Sequence, residues 1–294
     1  YGKFNGKVST KGKNIIINKN EIKILSKRKI HDVPWKKNKI DVVIDASGTN
    51  ANVESAKRVL KNGVKKVIIT HSPKKNIDFT MILGVNEKKY NHKKHNVISS
   101  SICDASAVAP VLNQIEKKWG IESGFVTTLH SRLSYQNLLD GSLKSISNPG
   151  HNWKDYSLGR NSFASLIPKK TTAVDAVTRC VPELNGKISG LSFRVPTAIV
   201  CGSDLTIKIK KKANTNDVKN FFKNLSKKEK RIYEYQTESL VSIDHLKTTK
   251  SSIIDSRYID TVNSNLIKMV IWYDNEWGYS NRVVDILDYT TRKI

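Results

Sequence analysis

The sequence predicts an α/β protein of two domains, and three observations predict it. The chain has 294 residues, more than one hydrophobic core usually fills. The segment from Asp41 to Thr70 reads strand, helix, strand, a βαβ pattern that implies parallel strands joined by a right-handed crossover. The segment from Asn96 to Gly120 reads strand, turn, helix, and sets a cysteine, Cys103, at the turn.

Element by element, Asp41-Val42-Val43-Ile44-Asp45 is a strand and Ala46-Ser47-Gly48 its turn. A short helix covers 52–61, and Lys65 to Thr70 is the second strand. Met81-Ile82-Leu83-Gly84-Val85 reads as a further strand. Val97, Ile98 and Ile102 form a strand that runs into a turn. Val108, Leu112, Ile115 and Trp119 then recur at helical spacing on one face. Asp104 or Ser106 is placed to cap that helix, and Gly120 to end it. Gly124 to His130 is β-branched and apolar, a strand ending in histidine. Leu266 to Ile271 is a buried-strand run, followed by a polar corner and an amphipathic helix. From Ser131 to about Ser165 no periodicity is visible, and Gly141, Pro149 and Gly150 break the chain. A loop of that length inside a compact domain is usually functional. No internal repeat is present.

Composition narrows the function classes. No run of 18 apolar residues occurs, so no membrane span is expected. No cleavable leader is read at the start. Cys103, Cys180 and Cys201 are three widely spaced thiols, a pattern expected of a reducing cytoplasm. Lys and Arg number 51 against 26 Asp and Glu, a net charge of +25. The lysines are scattered rather than gathered on one stripe, so any nucleic-acid binding is expected to be weak and non-specific. The field can still speed capture of phosphorylated substrates. His92 and His95 sit in a lysine-rich turn that would repel a cation, so no metal is expected.

Cys103 at the positive end of a helix gains thiolate character, while the adjacent Asp104 opposes it. His130 at a strand end can hold the thiol proton or take one from a substrate. By themselves these two residues also fit a buried, inert cysteine and an unrelated histidine.

Five ordered segments resolve that ambiguity. Ser101-Ile102-Cys103-Asp104, Thr127-Thr128-Leu129-His130, Pro182-Glu183-Leu184-Asn185-Gly186-Lys187, Phe193-Arg194-Val195-Pro196-Thr197 and the run from Trp272 to Asp285 resemble signatures of the phosphorylating glyceraldehyde-3-phosphate dehydrogenases. The resemblance covers essentially the whole chain. It implies a partial Rossmann dinucleotide-binding domain over 1–102, rejoined by a C-terminal helix at 275–294. The α+β catalytic domain would span 103–274. Its mostly antiparallel sheet would contain Phe125–His130, Leu191–Pro196, Ser203–Lys210, Leu240–Asp244 and Leu266–Trp272. It further implies NAD or NADP as cofactor, a small phosphorylated aldehyde as substrate, a homotetramer and a glycolytic role in the cytoplasm.

The resemblance also implies roles. Cys103 would form a thioester and His130 would act as base. Arg194 would sit between two anion sites, Arg160 would meet the substrate's phosphate, and Thr171 would offer a hydroxyl to phosphate or cap the next helix. Asn275 and Tyr279 would hold and cover the nicotinamide, with Ser47, Gly48 and Thr70 at strand ends facing the cofactor. The family's Gly-x-Gly-x-x-Gly fingerprint does not occur, and Tyr1 to Gly6 resembles a segment that normally follows it. A fragment that binds dinucleotide poorly is therefore expected.

Two departures bear on the chemistry. The family reads Ser-Cys-Thr-Thr-Asn where this chain has Ile102-Cys103-Asp104-Ala105-Ser106. A carboxylate about 4 Å from a phosphate opposes it by up to about 4 kcal/mol at an effective dielectric near 20. Leu133 stands where the family has a threonine, and Arg132 or Lys144 could compensate. The expected outcome is thioester formation with little dependence on inorganic phosphate. The competing classes are a catalytically altered paralogue that binds nucleic acid, and a Cys–His hydrolase, for which no third orienting residue can be named.

Overall fold

A computed structural model describes residues 1–134, 136–142 and 155–292. The chain forms two compact units, one of residues 1–79 with 92–99, the other of residues 80–91 with the chain from Ser100 onward.

The first unit opens with three short antiparallel strands, β1 (Val8–Lys11), β2 (Asn14–Ile17) and β3 (Asn20–Ile22). The βαβ pattern follows as β4 (Val42–Asp45), α1 (Asn50–Lys61) and β5 (Lys66–Ile69), with β4 and β5 parallel and in register from Val42↔Lys66 to Asp45↔Ile69. The short β6 (Phe79–Thr80) and then β7 (Val97–Ser99) complete a sheet ordered β4-β5-β7-β6, with β7 parallel to β5. One face of α1, carrying Val53, Ala56 and Val59, packs on Val43, Val67, Ile69 and Val97. Burying those side chains at about 25 cal/mol per Å² of apolar surface is what holds the helix to the sheet.

The second unit begins with α2 (Cys103–Trp119) and the long strand β8 (Ile121–Ser131), joined at Gly120, whose φ of +69° turns the chain. Then come β9 (Ile167–Lys170), α3 (Ala173–Cys180), β10 (Ile188–Val195), β11 (Cys201–Ile209) and α4 (Thr215–Lys228). β12 (Tyr233–Gln236), β13 (Ser252–Val262), β14 (Leu266–Tyr273) and α5 (Trp277–Thr291) end it. The seven strands are ordered β12-β13-β14-β11-β8-β10-β9. The β8–β10 and β12–β13 pairs are parallel and the other four neighbours antiparallel. This is the mostly antiparallel sheet the family resemblance implies, and the first unit's sheet is of the parallel Rossmann type.

Several elements differ from expectation. Met81–Val85 is not a strand. It is a turn whose Ile82 N–H donates to Asn86 Oδ1 at 2.9 Å while Asn86 Nδ2 donates to the Thr80 carbonyl at 2.8 Å. Leu240–Asp244 is not a strand either. A 3₁₀ turn covers Ser242–His245, and Asp244 Oδ2 accepts from the Val241 N–H at 2.8 Å. The sheet instead takes β9, β12 and β13, which lack a clear alternating signature. Neither Asp104 nor Ser106 caps α2: Ile102 occupies the cap position without a side-chain bond. The C-terminal helix α5 is grouped with the second unit. There its Tyr279 hydroxyl donates to the Ser101 carbonyl at 2.9 Å and shares a hydrogen bond with Ser100 Oγ at 2.8 Å.

Candidate active site

Local backbone places Cys103. Ser101 has φ of +64°, a left-handed conformation that side chains other than glycine rarely adopt. The Tyr279 hydroxyl holds its carbonyl in place. Two residues on, Cys103 is the first residue of α2, half-buried, with its sulfur at the positive end of the helix.

His130, the penultimate residue of β8, brings Nε2 to 3.7 Å from Cys103 Sγ. Its Nδ1 lies 2.7 Å from the Ser131 carbonyl. A carbonyl only accepts, so Nδ1 is assigned the proton and Nε2 presents its lone pair to the thiol. Burial holds the imidazole below its ordinary pKa. Asp104 pulls it up, and Arg194 and Lys169 push it down. A neutral ring is the form a proton acceptor needs.

Asp104 forms the third side of this cluster. Its Oδ1 is 3.6 Å from Cys103 Sγ and 4.0 Å from His130 Nε2, and it accepts from the Tyr273 hydroxyl at 2.8 Å. Burial raises the Cys103 thiol pKa, and Asp104 raises it further; Arg194 acts in the opposite sense. The expected gain from the helix terminus is thus outweighed by burial and a neighbouring carboxylate. The sulfur, imidazole nitrogen and carboxylate oxygen lie within 4.8 Å of one another, a spacing that could hold a metal ion. Two cations, Arg194 and Lys169, act on the same cluster and oppose one there.

The sheet register supplies those cations. Arg194 on β10 lies opposite His130 on β8 and opposite Ile167 on β9. It is buried, and its Nη1 has no hydrogen-bond partner among the described residues. Lys169 on β9 lies opposite Ser192, which in turn lies opposite Thr128, and the Thr128 hydroxyl donates to Ser192 Oγ at 2.8 Å. Thr128, His130, Ser192, Arg194 and Lys169 therefore share one face of the sheet.

Other expected residues are placed as follows. Asn275 Oδ1 accepts from Ser131 Oγ at 3.2 Å, one residue from His130. Thr171 Oγ1 accepts from the Ala173 N–H at 3.0 Å, so its hydroxyl serves the start of α3. Arg160 is exposed, and its guanidinium is ion-paired to Asp140, Nε to Oδ1 3.0 Å. Arg132 stacks over the Phe163 ring at 5.1 Å, and Lys144 lies outside the described residues.

In the first unit, Ser47, Gly48 and Thr70 stand at the ends of β4 and β5. Asp45 organises them: its Oδ1 accepts from the Ser47 N–H at 3.1 Å, and its carbonyl from the Thr70 hydroxyl at 3.2 Å. Gly48, with φ of +69° and open space where a Cβ would stand, borders a cleft of about 550 Å³ lined also by Asn50, Glu54, His71 and Lys74. Both ring nitrogens of His71 are buried without a partner among the described residues. A strand-end cleft bordered by a bare glycine fits part of a dinucleotide.

Sequence reasoning missed Tyr273 and Lys169. Tyr273 belonged to a quoted motif, but its partner Asp104 is 169 residues away. Lys169 follows Ile167 and Pro168, and nothing local marks β9 as a strand facing the site.

Comparison with known proteins agrees with this geometry. Residues 100–275 match the family model "Glyceraldehyde 3-phosphate dehydrogenase, C-terminal domain" and residues 1–53 match its NAD binding domain. The chain is 37% identical over 294 residues to glyceraldehyde-3-phosphate dehydrogenase of Wickerhamomyces ciferrii, covering all of this chain and 84% of that protein. It is 37% identical to glyceraldehyde-3-phosphate dehydrogenase 1 of Schizosaccharomyces pombe, over 100% of this chain and 84% of the relative. The Bacillus cereus protein of the same name is also 37% identical, with 100% and 85% covered. The fold is a Rossmann-type NAD-binding domain with the family's C-terminal domain, and the enzyme is an NAD(P)-dependent oxidoreductase. The chain belongs to the glyceraldehyde-3-phosphate dehydrogenase family.

Proposed function

We propose that this protein oxidises a small phosphorylated aldehyde, glyceraldehyde 3-phosphate by the names of its relatives, through a thioester on Cys103. The observation that carries the reading is the 3.7 Å approach of Cys103 Sγ to His130 Nε2, with the ring fixed through Nδ1 by the Ser131 carbonyl. In the first step the sulfur bonds to the aldehyde carbon, and His130 passes the thiol proton to the former carbonyl oxygen. His130 then takes that hydroxyl proton back as the carbon loses hydride, leaving the thioester. NAD(P), when bound, supplies the hydride acceptor. Ser47, Gly48 and Thr70 are proposed to hold it on the first unit. On the second, Asn275 and Tyr279 are proposed to hold and cover its nicotinamide. The Asn275 amide nitrogen has no partner among the described residues.

The charges that receive substrate are positive. Arg194 is proposed as the main phosphate ligand, with Thr171 beside it. Arg160 would have to leave Asp140 to join them. On Asp104 alone the acceptor for the thioester would be water, since a carboxylate repels phosphate dianion. The remaining proposals are a dinucleotide-binding domain over 1–102 with 275–294, a catalytic domain over 103–274, a homotetramer in the cytoplasm, no metal, and weak, non-specific contact with nucleic acid.

The test is NAD(P)H formation from glyceraldehyde 3-phosphate by the protein and by its Cys103→Ser variant. Turnover lost with Cys103→Ser supports the reading. Turnover that survives it, or no turnover in the unmodified protein with either cofactor, overturns it.

A further inference from the structure

Lys169 stands where a lysine has no ordinary reason to be enclosed. β9 is the last strand of the seven-stranded sheet, and lysines on edge strands usually extend into water. Its neighbours Pro168 and Lys170 are exposed, yet Lys169 is half-buried. Among the described residues its side chain has no hydrogen bond and no ion pair. Its pKa is lowered by burial and by Arg194 and raised by Asp104 and Cys103. Strand register sets it on the sheet face that carries Arg194 and His130.

The register explains how. Ser192 lies opposite Lys169 and Arg194 opposite Ile167. Arg194 and Lys169 are thus diagonal neighbours on one face, a spacing that long side chains bridge. Two cations thus share the sheet face that carries His130, and Asp104 is the carboxylate that acts on Lys169 there. Asp104 Oδ1 is already engaged by Tyr273, and among the described residues the buried Arg194 Nη1 has no partner. Buried polar groups left unpaired are costly, and two cations around one carboxylate leave room for a further anion. A planar guanidinium fork and a compact ammonium together suit a tetrahedral oxyanion.

We propose that Lys169 is a specificity-determining residue of this reaction: with Arg194 it holds a phosphate dianion beside Cys103 and offsets the repulsion of Asp104. The proposal rests on the reading of Cys103 as the nucleophile. It reverses the expectation, drawn from Asp104 and Ile102 alone, that phosphate is poorly received. The dianion is either the substrate's own phosphate or inorganic phosphate attacking the thioester.

Alkylation of Cys103 provides a test independent of turnover. Iodoacetate is an anion and iodoacetamide a neutral reagent of similar size. In Lys169→Gln the iodoacetate rate should fall about tenfold relative to the iodoacetamide rate, and Lys169→Arg should restore the ratio. A change in thiol reactivity alone would move both rates together. An unchanged ratio in Lys169→Gln overturns the proposal. Should that variant fail to fold, inorganic phosphate added to the unmodified protein should protect Cys103 from iodoacetamide saturably, and no protection overturns it. Steady-state kinetics then separate the sources. A KM raised about tenfold for the phosphorylated aldehyde points to the substrate's phosphate, and one raised for inorganic phosphate points to the acceptor. If KM moves for neither, the proposal falls. A shifted alkylation ratio in a protein that reduces no NAD(P) would retain the anion site and sink the dehydrogenase reading instead.

Discussion

The Tyr273 hydroxyl donates to Asp104 Oδ1 at 2.8 Å, so the carboxylate beside Cys103 is held by the sheet. That carboxylate sits 3.6 Å from Cys103 Sγ and raises the pKa of the thiol. Asp104→Asn removes the negative charge and keeps an acceptor for Tyr273. The pH profile of Cys103 alkylation by iodoacetamide is therefore expected to move to lower pH, with faster labelling at neutral pH. A profile that stays in place or moves up would show that Asp104 does not govern the thiol.

Selectivity among the three cysteines follows from exposure. Cys180 and Cys201 are buried and their thiols are pushed up to about 12 by that burial. Cys103 is half-buried and also raised, but reagent can reach it. Mass spectrometry after brief iodoacetamide treatment at neutral pH should find Cys103 labelled well ahead of the other two, and equal labelling would count against its assignment.

Tyr279→Phe deletes the hydroxyl that bonds both Ser100 Oγ and the Ser101 carbonyl. Stability should fall by about 1–3 kcal/mol, read as a lower urea midpoint. Because Ser101, held at φ of +64°, lies two residues before Cys103, alkylation of Cys103 should slow as well. A less stable protein with an unaltered alkylation rate would separate the clamp from the site.

Arg194→Ala removes a buried guanidinium directly opposite His130. Loss of a charge-assisted contact of about 1.5–3 kcal/mol corresponds to a drop in kcat/KM of about 10- to 150-fold. The same variant removes a positive charge that acts on Cys103. A kcat/KM within twofold of the unmodified protein would remove Arg194 from the anion site.

The net charge of +25 is expected to give only sequence-independent binding to RNA or DNA, lost steeply as salt rises. Fluorescence anisotropy with two unrelated oligonucleotides of equal length at low and at about 200 mM salt checks this. Tight binding that persists at the higher salt and favours one oligonucleotide would bring the nucleic-acid role forward.

Much of the candidate site is visible in the linear sequence because Cys103 and His130 begin and end regular elements. Periodicity alone puts Cys103 at a turn before a helix and His130 at the end of a strand. What periodicity cannot show is which strands lie side by side. Lys169 reaches Arg194 only through the β9–β10 register, and Tyr273 reaches Asp104 across 169 residues. The same limit explains the misread strands. Met81–Val85 is an apolar run that a buried turn accommodates as well as a strand, once Asn86 closes it. Leu240–Asp244 alternates suitably, but Asp244 captures the Val241 N–H and curls the segment. Arg160 shows the converse: the family resemblance assigns it a phosphate contact, while the structure pairs it with Asp140 at the surface.

The placement of Lys169 on the outermost strand has a consequence for how such a centre can change over time. Residues deep in the sheet, such as His130 and Arg194, are hemmed in by neighbours on both sides, and altering them disturbs packing. A border strand has one neighbour only. Its inward side chains address the reaction while the backbone beyond them meets no other strand. One base change in the codon for position 169 can therefore reset the polarity of the pocket with little repacking. The affinity of this enzyme for anions is adjustable at its rim, with the chemistry at its centre left alone.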